Sequence, residues 1–367
     1  MSQTQPLLTP VKLGDYQLKN RVVMAPMTRD RADNAELAPT DLHVEYYRQR
    51  AGAGLIITEG SQVSPQGVGY VRTPGIHSAA QIAGWKKVTE AVHARGGRIF
   101  LQLWHVGAVS HPDFHGGALP VSASAFNPNG KMYVPAGVQK DTVAARELST
   151  AEVREVVRDF AQGAKNAIAA GFDGVEIHSA NGYLVQQFLR DSSNHRTDQY
   201  GGSIENRARF LFEVVEAVVQ AVGAGRTGLR LSPSNTYYSP ADSDSQALYD
   251  YVIGRLNDYQ LAYLHLRDAA GPVSGNHQVA DVTGHYRKIY QGTLITNTGY
   301  DREKGNAAVA SGRADLVAYG IPFISNPDLV ERFASGAELR QADAATFYSP
   351  GPQGYIDYAP LAEAAVA

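Results

Sequence analysis

Two kinds of apolar run alternate along the chain. Short, nearly continuous runs rich in Val, Ile and Leu read as strands, whereas longer runs with apolar residues three and four apart read as helices. Eight strands are predicted, over residues 22–27, 55–63, 98–104, 174–179, 228–232, 263–267, 293–298 and 316–320. Most show little alternation, the pattern of strands buried on both faces. Helices are predicted over 40–51, 78–94, 149–170, 204–222, 243–257, 278–290, 302–311 and 326–333, the third opening on the capping-box spacing Ser149-Thr-Ala-Glu152 and stopping at Gly171.

Strands alternating with helices call for a parallel sheet with helices outside it, and eight of each give an α/β fold, the (β/α)8 TIM barrel. A doubly wound open sheet is the alternative. It would carry a Gly-x-Gly-x-x-Gly turn after an early strand, and the sequence has none. Residues 11–22 suggest an N-terminal hairpin, turning at Gly14-Asp15, that plugs one end of the fold. A stretch from about 105 to 147, rich in Pro, Gly, Ser and Asn, is too long for a plain connection and is expected to be a capping insertion after the third strand. The tail, 346–360, carries Phe347, Tyr348, Tyr355 and Tyr358 among Gly and Pro and is expected to fold back onto the barrel. All 367 residues read as one domain.

Composition narrows the chemistry. A net charge of -3 without basic clusters gives no sign of a nucleic-acid or anionic-membrane partner. The absence of cysteine removes disulfides, thiolate nucleophiles, thiolate zinc sites and cysteine-held iron-sulfur clusters. With no apolar stretch long enough to span a membrane and no signal-like start, the expected location is cytoplasmic.

In a barrel the reactive groups stand at the C-terminal ends of the strands. The stretch Gly174-Val-Glu-Ile-His-Ser-Ala-Asn-Gly-Tyr183 puts His178, Asn181 and Tyr183 at one such end. Imidazole and carboxamide donate hydrogen bonds to a single oxygen and a phenol delivers a proton, a set suited to activating a carbonyl or nitro group. The alternative is that all three satisfy loop backbone. Other strand ends offer Met24-Ala-Pro-Met-Thr-Arg29, Glu59-Gly-Ser-Gln62, Gln102 with Trp104, and Arg230, a set consistent with a flat polar ring such as isoalloxazine. Gln102 and Arg230 have a second reading as buried partners of carboxylates. Asn297-Thr-Gly299 and Gly320-Ile-Pro322 occupy the ends where barrels bind phosphate, unless the glycines are only turn residues. His105, His111 and His115 match no metal-ligand spacing, so no metal is expected.

The segments Ala25-Pro-Met-Thr-Arg29, Gln102-Leu-Trp-His105, His178-Ser-Ala-Asn-Gly-Tyr183 with Ser193-Asn-His-Arg-Thr-Asp-Gln-Tyr-Gly-Gly202, and Asn326-Pro-Asp-Leu329 together resemble the Old Yellow Enzyme family of FMN-dependent ene-reductases, over nearly the whole chain. The resemblance implies reduction of activated C=C bonds in unsaturated carbonyl, maleimide or nitro compounds, with FMN as cofactor and NADPH or NADH as reductant. It implies that His178 and Asn181 clamp the substrate oxygen and Tyr183 protonates the α-carbon. Thr28, Gln102, Arg230 and the backbone of Ala25, Pro26 and Gly60 match the flavin's partners, while Tyr70, Trp104 and Tyr355 match positions that shape the substrate pocket. One departure stands out. Relatives often carry an arginine after the eighth-strand glycine, where this chain has Ile321, so the amides of Gly299, Gly320 and Ile321 are the expected phosphate donors. The expected partner is a small unsaturated substrate, and the expected state is a monomer or weak homodimer. A metal-dependent barrel hydrolase or aldolase and a non-catalytic flavin protein are the rival readings.

Overall fold

The computed structural model describes residues 5–238, 241–269 and 278–361. A hairpin comes first, β1 (Val11–Leu13) pairing antiparallel with β2 (Tyr16–Leu18). Eight parallel strands then close into a barrel: β3 (Val22–Met24), β4 (Leu55–Gln62), β5 (Ile99–Trp104), β10 (Gly174–Ser179), β11 (Thr227–Leu231), β12 (Tyr263–Arg267), β13 (Leu294–Asn297) and β14 (Leu316–Tyr319). Each predicted strand is present. Between β5 and β10 lie β6 (Val121–Ser122), β7 (Lys131–Tyr133), β8 (Gln139–Asp141) and β9 (Arg146–Glu147), which form two small sheets, β6 with β9 and β7 with β8.

The helices around the barrel are α1 (Asp41–Gln49), α2 (Ala79–His93), α3 (Thr150–Ala169), α5 (Ile204–Val222), α6 (Ser245–Leu256), α7 (Val282–Tyr286), α8 (Arg302–Ala310) and α10 (Leu329–Ser335). The capping box of α3 forms as its spacing predicts, Ser149 accepting from the Glu152 amide and Glu152 accepting from the Ser149 amide at 2.7 Å. The helix predicted over 278–290 is shorter than expected. Asp281 accepts from the Gly284 amide and caps α7, so the regular turns start only at Val282. Two short helices, α4 (Leu184–Leu189) and α9 (Ile321–Ser325), follow the ends of β10 and β14 and were not among the predicted elements.

Alternation along each strand sorts the barrel into an outer and an inner surface. On β10, Val175 and Ile177 join the helix-facing core while Glu176 and His178 take the alternate positions, and on β5 Leu101 and Leu103 alternate with Gln102 and Trp104. The interior therefore changes character with height. Its lower layer is apolar: Val23, Leu55, Ile57, Phe100, Tyr263, Ile295 and Leu316 form one cluster with Leu13 and Leu18 of the hairpin. This is the plug the sequence predicts. The hairpin turn requires glycine, because Gly14 has φ +51° and a Cβ there would meet the Gly225 carbonyl oxygen at 2.0 Å.

The tail is held against the mouth by arginines. Arg29 donates to the carbonyls of Phe347 and Gly354, at 3.0 and 2.8 Å, and Arg31 donates to those of Phe347, Thr346 and Gln353. These bonds satisfy backbone carbonyls with buried charged donors, which makes them stronger than neutral pairs. The tail is thus a fixed wall.

Candidate active site

Above the apolar layer the register brings polar residues side by side: Glu176 beside Gln102, His178 beside Arg230, and Arg230 beside His265. Glu176 is fully buried and accepts from Gln102 Nε2 at 2.8 Å, while its second oxygen lies 2.8 Å from His265 Nδ1. Arg230 is the nearby cation, and it donates to Asn297 Oδ1 at 3.0 Å. Burial pulls its guanidinium down to about 10, with Glu176 acting in the opposite direction. A buried carboxylate thus fixes Gln102 while an arginine offsets its charge. Gln102 does have the carboxylate partner that its second reading allowed, yet it also lines the cleft above.

That cleft has a volume of about 320 Å³ and opens at the C-terminal ends of the strands. Pro26, Thr28, Gly60, Gln102, Trp104, His178, Asn181, Tyr183, Arg230 and Ile321 line it. Ten residues singled out from the sequence therefore meet at one place. Trp104 lies against β4 because position 60 has no side chain, a Cβ on Gly60 falling 2.6 Å from Trp104 Cε3. Around it, His178 stacks with centroids 6.3 Å apart, and Tyr183 stands edge-on to both rings, at 5.0 Å from Trp104 and 5.1 Å from His178.

The state of each group follows from its surroundings. Burial, aided by Arg230 and His265, pushes His178 well below the ordinary histidine range, so its ring is neutral and offers one N–H. Asn181 has φ +59°, its amide donates to Ser232 Oγ at 2.8 Å, and its side-chain oxygen accepts from Asn235 at 2.9 Å. The Asn181 –NH2 is thereby left to donate. Burial raises Tyr183, which keeps its proton at neutral pH.

Tyr355 departs from the expectation. It is fully buried outside the cleft, stacked on Tyr46 at 4.0 Å beneath the guanidinium groups of Arg29 and Arg31. Phe347 and Tyr348 from the same tail line the cleft instead. Tyr70 packs on Trp104 at 5.3 Å and lines an adjoining groove of about 1110 Å³ with Tyr348, Phe114 and Tyr133. Ala25 is buried just past the end of β3, and its amide donates to the Tyr319 carbonyl at 3.0 Å, so that N–H is already paired. Gly299 and Gly320 each lie two residues past the paired Asn297 and Ala318 of neighbouring strands. Ile321 is 60% exposed at the cleft's edge. The three loop histidines are engaged locally; His115, for example, lies 2.8 Å from Ser110 Oγ. Among the described residues, no group of three or more His, Cys, Asp or Glu stands together to hold a metal.

Glu176, His265 and Asn235 were missed by sequence reasoning, and Asn297, named for the phosphate end of the seventh strand, instead accepts from Arg230. Glu176 had one usable signal, a carboxylate set between two outward apolar residues on a buried strand. His265 and Asn235 carry no local mark.

Three nitrogens around this mouth, His178 Nδ1, Trp104 Nε1 and Arg230 Nε, are buried without a hydrogen-bond partner. An unmet buried donor costs about 1 to 3 kcal/mol, so such a concentration is expected where a ligand completes the bonding. A flat ring with hydrogen-bonding edges fits this donor set and the slot beside Gly60. A closed parallel barrel with such a mouth defines a flavin-binding oxidoreductase. Comparison with known proteins agrees: residues 6–340 match the family model described as the NADH:flavin oxidoreductase / NADH oxidase family. The chain is 46% identical to 12-oxophytodienoate reductase 1 of Oryza sativa subsp. japonica over 98% of its own length and 94% of the relative's. Among solved structures it is similar to morphinone reductase, with a TM-score of 0.93, 44% identity and 99% of both chains covered. The old yellow enzyme homologue from Zymomonas mobilis gives a TM-score of 0.91 at 41% identity, covering 96% of this chain and 99% of that one. The chain belongs to the Old Yellow Enzyme, or NADH:flavin oxidoreductase, family. It is a flavin-dependent NAD(P)H oxidoreductase of the ene-reductase type. Among the described residues no helix is long and apolar enough to cross a membrane.

Proposed function

We propose that this protein reduces the activated C=C bond of α,β-unsaturated carbonyl, maleimide or nitro compounds, using FMN and either NADPH or NADH. The observation that carries this reading is the convergence of His178, Asn181 and Tyr183 on one cleft beside Thr28, Gln102 and Arg230. When bound, FMN would supply the hydride-transfer chemistry that links the nicotinamide to the unsaturated substrate. Thr28, Gln102 and Arg230 would hold the ring's polar edge, with the backbone of Ala25, Pro26 and Gly60 beside it. Amides of Gly299, Gly320 and Ile321 would hold the phosphate.

The neutral N–H of His178 and the –NH2 of Asn181 donate to the substrate's carbonyl or nitro oxygen and strengthen as negative charge grows there. Because both donors are fixed before the substrate arrives, little reorganisation accompanies the reaction. Tyr183 gives its proton to the α-carbon. Trp104 and Tyr70 shape the pocket, and the insertion at about 105–147 acts as a cap, a role supported by the position of Phe114 and Tyr133 along the adjoining groove. Relatives named for 12-oxophytodienoate and for morphinone support a reductive role. The test is an absorbance spectrum of the purified protein, followed by anaerobic NADPH and then cyclohexenone. The expected sequence is a yellow protein, loss of colour, and its return with formation of the saturated ketone. A colourless protein sensitive to chelators, or a yellow one that nicotinamide does not bleach, contradicts the proposal.

A further inference from the structure

The hydroxyl of Tyr183 does not stand alone. It lies 2.9 Å from the Tyr70 hydroxyl, which in turn donates to the Tyr238 hydroxyl at 2.9 Å. Three phenols from distant parts of the chain thus form one hydrogen-bonded row, packed against Trp104, Val106 and Val109. Tyr238 ends the row, on the loop that follows β11, and like Tyr70 and Tyr183 it is half-buried. That loop is seated firmly: a Cβ on Gly182 would meet the Tyr237 carbonyl oxygen at 2.1 Å and Tyr238 Cβ at 3.0 Å, so glycine allows the loop to touch the catalytic turn. The same loop supplies Asn235, whose side chain orients Asn181.

We propose that Tyr70 and Tyr238 form a relay that returns a proton to Tyr183 after each turnover. This inference rests on the proton-donor role proposed above for Tyr183. When the α-carbon is protonated, the Tyr183 O–H bond breaks and a C–H bond forms, leaving a phenolate. Burial disfavours that phenolate at Tyr183 and at Tyr70 alike, and the hydrogen-bonded row gives the charge a path on to Tyr238. At rest Tyr70 donates to Tyr238 and therefore accepts from Tyr183. Once Tyr183 turns its hydrogen to the substrate, the other two hydroxyls turn as well, and the direction of donation reverses. The Tyr70 proton then passes to Tyr183, the Tyr238 proton passes to Tyr70, and water at the loop surface re-protonates Tyr238. One proton enters from solvent for each proton delivered to carbon. No further co-reactant is needed.

The test uses the flavin-loaded full chain carrying 13Cζ-tyrosine, in which the Tyr183 hydroxyl resonance is assigned by its loss in Tyr183→Phe. Its exchange with solvent is measured without substrate in the wild type, Tyr238→Phe and Tyr70→Phe. Each variant is expected to slow exchange about tenfold or more, because each removes a link in the hydrogen-bonded row that runs from Tyr183 through Tyr70 to Tyr238. Exchange that is unchanged or faster in both variants overturns the relay. A second readout is steady-state reduction of cyclohexenone: a broken relay, acting after the carbon is protonated, lowers kcat and KM together and leaves kcat/KM unchanged, whereas a rise in KM with unchanged kcat means that Tyr238 only shapes the pocket and also overturns it. If the wild type reduces no unsaturated compound, the functional proposal falls, and the exchange rates still decide the relay by themselves.

Discussion

The lower and upper halves of the barrel are built from the same strands and differ in what they leave unfinished. Below, Leu13, Leu18, Val23, Leu55, Phe100 and Tyr263 close on one another as apolar packing under the hairpin. Above, Glu176, Gln102, His265 and Arg230 form a buried polar network, topped by three nitrogens that have no partner. Apolar contact stabilises the first layer without a ligand, whereas the second layer leaves donors unmet and so favours whatever satisfies them. The difference separates folding from function along a single strand. On β5, Phe100 belongs to the first task and Gln102 and Trp104 to the second.

That division can be broken deliberately. The largest effect on stability is expected from Phe100→Ala, which empties a site packed by Tyr263 at 5.8 Å and Tyr16 at 6.3 Å. It should cost about 3 to 5 kcal/mol in urea unfolding and leave flavin affinity unchanged once folded. Loss of flavin binding in the folded variant would show that the layers are not independent. Next, Ile321→Arg adds a cation at the exposed edge of the cleft, and it should tighten FMN by about 1.5 to 3 kcal/mol, read from the dissociation constant. No tightening would show that another group already fills that role.

A third effect is smaller and depends on pH. Behind the cleft, burial pushes Glu59 up to about 8 and Asp30 up to about 7. Both hold a proton in the fold where the unfolded chain has released it, so stability falls as pH rises through their folded values. The buried histidines work in the opposite sense, with His43 and His105 held down to about 3 and His178 and His265 held below the ordinary value, and that contribution is common to the wild type and a variant at Glu59. From about pH 6.5 to 8 the wild type should therefore lose about 1.5 kcal/mol more than Glu59→Gln, which has no proton to release there. Thermal unfolding across that window checks it, and identical slopes in the two proteins would place the titration elsewhere.

Much of this was legible in the chain. All eight strands stood out because apolar β-branched runs bounded by glycine and polar breaks are a strong local signal, and the motif at His178 sat where a barrel keeps its chemistry. What escaped depends on contacts between distant positions. The strands read as buried on both faces, and only the barrel's closure reveals that Glu176 lies between Gln102 and His265. Aromatic residues marked the tail, but Tyr355 turned inward and Tyr348 toward the cleft, because arginines at 29 and 31 fix the tail's path through backbone carbonyls. No sequence spacing encodes that choice. Tyr238 is 168 residues from the phenol it meets.

The central claim is that the donors of His178 and Asn181 act on the substrate's oxygen rather than on the flavin's reduction by nicotinamide. The direct measurement is a pair of anaerobic stopped-flow rates for wild type and His178→Ala, one for flavin reduction by NADPH and one for re-oxidation by cyclohexenone. The account predicts that re-oxidation slows by the equivalent of about 2.7 to 4 kcal/mol while reduction slows far less. Equal losses in the two rates would contradict it.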